Sequence, residues 1–512
     1  MTITQWIIFF VVMNIVHGAA TWKFYKKAGV DAWKAFVPFL NIYELMGIIA
    51  YPKWWMIFVY IPIVNLLMIP TLWVQILASF GKETGKDKAL AIFTLGAYVA
   101  YVNYTEADQL TYDTTSKSAK ETLLGSLVFA IIAATIVHTY FFQPFTIPSP
   151  SLEKSLLVGD YLIVSKMHYG ARPPITTIAT PMVHDTIPVI NKRSYSKFPQ
   201  LPYLRFPGFQ KIKNNDIVVF NWPADTVVQF FKAPDYAQYK PIDKKSHYVK
   251  RCVAIAGDSL QIKNGIIYVN GKEVVYPDRT DLQHYYKITT KDSMPFSART
   301  LNQFNNMGIL KDLNKNHTEI ILNLTNDRLE IAKKYSNVAS IKLLDRAQGL
   351  MYGNKNWTLN NFGPIYIPKK GDVLQLNKET YPFYKWIIQR YDGHDAEHKL
   401  NKHEVTLKGD DVYIDGKLTK EYTVQQDYYW MMGDNRSESE DSRYWGYVPF
   451  DHVVGKPVFI FFSKGENGIR WNRLFTTVSG EGKRVSYLIP FIVLLLFYFG
   501  YTEYKKKKNK NS

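Results

Sequence analysis

The 512-residue chain holds a single cysteine, Cys252, so no intrachain disulfide is possible and each domain must rest on its own core. That thiol lies in an apolar, strand-like run, where a small buried side chain is a better reading than a catalytic or redox centre. Acidic residues are few, 44 against 62 basic ones, giving a net charge of +18. No recognised nucleic-acid-binding motif accompanies that excess, and no nucleic-acid partner is expected. The first apolar run, Ile3 to Trp22, has no basic residue before it, whereas Lys23, Lys26 and Lys27 follow it. A cleavable export signal carries its positive charge first, so a retained anchor with its C-terminal end in the cytoplasm is expected. His17-Gly-Ala-Ala20 nevertheless has the small residues of a cleavage site. No histidine sits in a context that marks it as a catalytic base. The cluster His394, Asp395, Glu397, His398, His403 and Glu404 lacks a recognised metal-ligand spacing, so neither metal nor cofactor is implied.

What the chain has in quantity is long apolar runs and aromatic residues, the latter at 15%. These point to β structure and to membrane-interface rings. Ala35 to Ala50 is apolar but short, which suits a re-entrant or interfacial segment. Trp54 to Phe80 reads as a span, Ala89 to Val102 is too short to count alone, and Thr105 to Lys120 is a polar linker. Thr122 to Phe142 is the strongest span, with His138 one turn from its end. Tyr487 to Tyr501 is apolar and runs into a tail whose last eight residues, Lys505 to Ser512, include five lysines. Such a tail fits anionic lipid headgroups on the cytoplasmic side. If this run and 122–142 both span, the intervening domain lies outside the cytoplasm. The expected division is 1–115 as a multi-span membrane region, 121–143 as a transmembrane helix, 144–275 with 405–485 as a β domain, 276–404 as an α+β insertion, 487–504 as a second transmembrane helix, and 505–512 as a basic tail.

Three soluble stretches carry the chemistry. In Phe145-Thr-Ile-Pro-Ser-Pro-Ser151, the prolines at 144, 148 and 150 forbid a continued helix, so Ser149 and Ser151 stand on extended backbone just past a span. A hydroxyl there is a candidate nucleophile that needs a base. Lys250, in Tyr248-Val-Lys-Arg251, is flanked by apolar residues on a predicted strand, with Arg251 on the opposite face. A lysine acts as a base only when neutral, so its pKa near 10.4 must fall by roughly three units, about 4 kcal/mol, through burial. The bland alternative is a solvated or salt-bridged Lys-Arg pair. The third stretch, Gly433-Asp-Asn-Arg436 followed by Asp441-Ser-Arg-Tyr-Trp-Gly446, is either a surface turn with weak ion pairs or a buried polar scaffold for the lysine. Elsewhere, Asp216 to Phe220 and Val249 to Ile255 read as strands. Ile266 to Val269 with Asn270-Gly271, and Val412 to Ile414 with Asp415-Gly416, read as hairpins. Inside the insertion, Gln303 to Leu313 and Asp327 to Lys334 read as helical.

Together, Ile147-Pro-Ser-Pro-Ser151, Asp216-Ile-Val-Val-Phe220, Tyr248-Val-Lys-Arg251 with Gly257-Asp258, Gly433-Asp-Asn-Arg436 and Asp441-Ser-Arg-Tyr-Trp-Gly446 resemble the signature boxes of bacterial type I signal peptidase. The resemblance covers 144–166, 214–272 and 405–462. It implies a multi-domain membrane protein with terminal transmembrane helices and a mainly-β catalytic domain. It further implies that Ser151 is the acylating serine, Lys250 its base and Ser149 an oxyanion donor. Ser439 falls where the family has a serine that hydrogen-bonds the lysine, and Asp441 and Arg443 resemble a supporting ion pair. Gly433, Asp434, Asn435 and Arg436 form the supporting turn. Departures are Leu152 in place of a usual Met, Lys154-Ser-Leu156 in place of Pro-Thr-Leu, and Ala254-Ile-Ala256 in place of Gly-Leu-Pro. The implied partners are signal peptides of exported preproteins, the lipid bilayer and the secretion translocon, at the bacterial cytoplasmic membrane. The competing readings are an inactive membrane-anchored scaffold, a self-cleaving protein, and a processing peptidase dedicated to a few pro-proteins.

Overall fold

A computed structural model describes residues 2–113, 123–225, 240–345, 351–393, 402–480, 482 and 484–510. The chain divides into two compact units, Met1–Phe141 with Arg172–Arg205, and Phe142–Ala171 with Phe206–Ser512.

The first unit is mainly helical, apart from a short hairpin, Thr186–Ile187 with Lys192–Arg193. Ile3–Lys27 opens with a reciprocal cap in which Thr2 Oγ1 accepts from the Gln5 N–H while Gln5 Oε1 accepts from the Thr2 N–H. Lys26 and Lys27 close it, where positive charge suits the helix C-terminus. Ala35 to Ala50 forms a 3-10 turn, Ala32–Phe36, and a helix, Leu40–Ile48, whose Leu45 and Met46 enter the unit's core. The single span expected over Trp54 to Phe80 is two helices, Met56–Tyr60 and Asn65–Ala78. The break is at Pro62, which holds Ile61 extended at φ −83°, ψ 120° and offers no N–H. Gly85–Phe93 and Ala97–Thr105 follow. Leu123–Ile136 passes through a π turn, Val137–Phe141. By length and composition, Ile3–Lys27 and, in the second unit, Leu488–Lys505 are long and apolar enough to cross a membrane.

The second unit is mainly β. Its principal sheet runs in the order Phe142–Thr146, Asp160–Ser165, Val453–Gly465, Ile217–Asn221, His247–Ala254, Tyr428–Met432, Val448–Pro449. All these pairings are antiparallel, and the first strand is an edge. Both expected hairpins form: Asn270 and Gly271 at φ 52° and 78°, and Asp415 and Gly416 at φ 50° and 78°, have the left-handed pairs that a two-residue turn requires.

Within the insertion, Ile309–Leu313, Glu319–Thr325, Gln283–Thr290 and Val338–Leu343 make a four-stranded sheet covered by the helices Ala298–Met307 and Asn326–Ala332. Its core holds Ile288, Phe304, Ile320, Leu322 and Leu324. The helix expected over Gln303 to Leu313 stops at Met307, and Ile309–Leu313 is a strand. Gly308 permits this change, because a Cβ there would lie 2.5 Å from the Asn323 carbonyl oxygen. Residues Phe362–Tyr366 instead pair with Ser259–Lys263 and pack with Trp430 and Tyr447.

Candidate active site

Ser151 lies in a 3-10 turn, Pro150–Leu152, between the edge strand and its neighbour. Apolar side chains on either side of it, Ile147, Leu152 and Leu156, pack with Leu162, Val164, Ile217 and Ile460. Each such buried aliphatic stabilises the placement by about 1.5–3 kcal/mol. Leu152, where the resemblance has Met, is fully buried, and Lys154 stands exposed with a left-handed backbone at φ 69°.

Lys250 comes from the strand His247–Ala254, paired with Val218. Its Nζ lies 2.7 Å from Ser151 Oγ, with both side chains buried. Burial pushes the amine down to about 8, against the opposing pull of Asp441, Glu440 and Asp434. The Tyr248 ring centroid is 5.3 Å from Nζ. Cys252 is fully buried in the same strand, and burial pushes its thiol well up, away from thiolate chemistry.

Arg251 takes the other face and grips Asp434 with both arms, Nε to Oδ1 at 2.7 Å and Nη2 to Oδ2 at 2.6 Å. Burial alone would raise the Asp434 carboxyl, but the Arg251 guanidinium overrides this and holds it below the usual range. Asp441 and Arg443 form a second two-armed buried pair, at 2.9 and 2.8 Å. Asp441 also accepts the Gly433 N–H at 3.1 Å, and Arg443 donates to the Arg436 carbonyl at 2.6 Å. Arg436 donates to the Gly433 carbonyl and to the Tyr276 hydroxyl.

Asn435 joins this scaffold to the serine. Its N–H donates to the Ser151 carbonyl at 3.1 Å, and its Nδ2 donates to the Pro150 carbonyl at 3.2 Å. Gly433 has to lack a side chain: a Cβ would sit 2.5 Å from the Ser151 carbonyl oxygen and 2.3 Å from Ser439 Oγ. The hydrogen bond expected from Ser439 to Lys250 is not formed. The amine is directed to Ser151, and Ser439 Oγ, packed tightly against Gly433, has no partner among the described residues. Ser149 is half-buried on extended backbone at φ −132°, ψ 154°.

Three contributors have no individual mark in the sequence reading. Ser155 supports the turn by accepting the Asp281 N–H at 3.2 Å. Gln283 donates its N–H to the Asp434 carbonyl and its Nε2 to the Glu153 carbonyl. Asn323 donates to Asn435 Oδ1 at 2.8 Å. The last two come from the insertion, where a lone buried asparagine in the apolar run Ile320 to Leu324 is the one available signal. Of the acid-histidine cluster, His394, Asp395, Glu397 and His398 lie outside the described residues, while His403 pairs with Asp415 at 2.7 Å. Among the described residues no group of three or more His, Cys, Asp or Glu is arranged to hold a metal.

The model of the family described as signal peptidase, peptidase S26, matches residues 120–318 and 367–462. The chain belongs to the signal peptidase S26 family. Signal peptidase I of Helicobacter pylori is 25% identical over 375 residues, covering 70% of this chain and 93% of that protein. Signal peptidase I of Buchnera aphidicola subsp. Schizaphis graminum is 25% identical over 366 residues, 69% of this chain and 80% of the relative. That of Haemophilus influenzae is 23% identical over 371 residues, 69% and 75%. The chain is accordingly a serine endopeptidase of the signal peptidase I type, acting in signal-peptide removal. Residues 33–112, in the helical unit, match a second family, one of unknown function (DUF5684).

Proposed function

We propose that the chain cleaves exported preproteins after small-residue sites of the Ala-x-Ala kind, with Ser151 as nucleophile and Lys250 as general base. The observation that carries this reading is the 2.7 Å contact between the buried Lys250 amine and Ser151 Oγ. In the neutral amine the hydroxyl donates to the nitrogen lone pair, and attack on the scissile carbonyl sends the Ser151 proton to Lys250. The tetrahedral oxyanion is received by the Ser151 N–H and the Ser149 hydroxyl. The C–N bond then breaks, Lys250 returns the proton to the leaving amine, and a water activated by Lys250 hydrolyses the ester. Ser-Lys pairs are a recurring variant of this logic.

The edge strand Phe142–Thr146 is the natural place for an extended cleavage site to add as a further strand. Membrane anchoring draws support from the apolar helices Ile3–Lys27 and Leu488–Lys505. In our reading the 1–115 region and the helix Leu123–Ile136, with the π turn that ends it at Phe141, also belong to the membrane. The lysines that follow Tyr504 keep the C-terminal tail in the cytoplasm against anionic lipid, with the catalytic unit outside. There it meets preproteins emerging from the translocon.

The test uses the full-length protein and a membrane-inserted preprotein. Ser151→Ala and Lys250→Ala should each lower the cleavage rate by at least about a thousandfold. Cleavage at the wild-type rate by either variant rules out the pair. A wild-type protein that leaves every preprotein intact, or cuts only one or two, favours the scaffold or the dedicated peptidase instead.

A further inference from the structure

We infer that Asn323, on a strand of the insertion, is a positioning residue that fixes the direction of the Ser151 side chain through Asn435. The inference rests on the reading of Ser151 as the nucleophile. Asn435 holds two successive carbonyls, those of Pro150 and Ser151, and so fixes the backbone from which Oγ projects toward Lys250. Its side-chain amide can sit in two orientations that differ by exchange of oxygen and nitrogen. Only the one with Nδ2 toward Pro150 makes a hydrogen bond; the other sets two oxygens against each other.

Asn323 supplies the donor that this orientation calls for: its Nδ2 donates to Asn435 Oδ1 at 2.8 Å, while its own Oδ1 has no partner among the described residues. Both asparagines are buried, so water does not substitute for the donor. The backbone that carries this donor is fixed. Asn323 lies on an interior strand, paired with Tyr285 on one side and Ile309 on the other, between Leu322 and Leu324 in the core. Gln283, on the adjoining strand, adds a second clamp through the Asp434 and Glu153 carbonyls. The insertion therefore reaches the nucleophile turn through the Asn435 side chain and the Asp434 and Glu153 carbonyls rather than through reacting atoms.

The test compares full-length wild type, Asn323→Ala, the near-isosteric Asn323→Leu, Asn435→Ala and the Asn323→Ala, Asn435→Ala double variant on one peptide substrate, with unfolding midpoints recorded for each. The expected result is a fall in kcat of about tenfold or more for both Asn323 variants, with KM within about twofold. The double variant should match Asn435→Ala alone, since the two residues act in series. A wild-type kcat, a loss confined to KM, a loss that disappears when corrected for the folded fraction, or additive losses in the double variant each overturn the inference. Ser151→Ala separates the two levels. If it is inert while the Asn323 variants behave as wild type, only the positioning role fails; if it is active, the nucleophile assignment fails and the positioning role with it.

Discussion

Arg251 and Asp434 meet through two parallel hydrogen bonds on the face of the strand opposite Lys250, with neither side chain reaching solvent. One strand thus delivers the proposed base on one side and, on the other, the anchor of the turn that holds the Ser151 carbonyl. Removing one partner of a buried pair leaves the other charged and unmatched. Arg251→Met should therefore lower stability by about 3–5 kcal/mol, read as a drop in the denaturation midpoint. A variant as stable as wild type would mean that the pair is not buried in solution.

Gly433 tests steric fit alone. The Cβ of Gly433→Ala would press on the Ser151 carbonyl oxygen, a backbone atom that cannot yield without moving the Ser151 side chain. A fall in kcat of about a hundredfold is expected with the fold retained, as judged by circular dichroism. Wild-type turnover would show that the turn does not pack against Ser151.

Lys250, the proposed base, also costs stability. Its amine stands at about 8 in the folded chain against 10.5 ordinarily. The unfolded chain therefore binds the extra proton between those values, and stability rises with pH across that window. Lys250→Met removes the effect. At neutral pH it should be more stable than wild type by up to about 3 kcal/mol, with the difference fading as pH climbs from about 8 toward 10.5. A difference that does not vary with pH would mean that the amine is solvated. Lys245, also pushed down to about 8 by burial, is present in both proteins and cancels.

The carboxylates act with the opposite sign. Asp441 is held below its ordinary range because Arg443 outweighs the effect of burial. Its stabilisation is complete above the usual carboxylate value near 4 and is lost as pH falls below it. Asp441→Asn should flatten the acid side of the stability profile, measured by denaturant titration, while lowering stability at neutral pH. An unchanged acid limb would remove the ion pair from the scaffold.

Much of this was legible in the residues. The proline-flanked serines, the strand lysine and the Gly-Asp-Asn turn marked the site because each combines a backbone constraint with a chemical group. The Asn-Gly and Asp-Gly hairpins were readable because few other pairs accept two left-handed residues. Other features were not legible, for physical reasons. Apolar composition over Trp54 to Phe80 does not say where Pro62 divides a helix, and Ile309 to Leu313, with Lys311 and Asp312 inside it, is too short to show a period that separates strand from helix. Ser439 was expected against the lysine, yet hydroxyl direction is settled by packing against Gly433. Asn323 is brought to the site across 112 residues of chain by sheet pairing that composition does not encode.

The decisive measurement is the pH dependence of kcat/KM for the full-length protein on a peptide substrate, from about pH 6 to about pH 10, which reports the essential base of the free enzyme. With Lys250 neutral only above its depressed value, the rate should rise with pH and level off after a limb near 8. A limb that continues toward 10.5, or a rate indifferent to pH across that range, would contradict Lys250 as the group that takes the proton from Ser151.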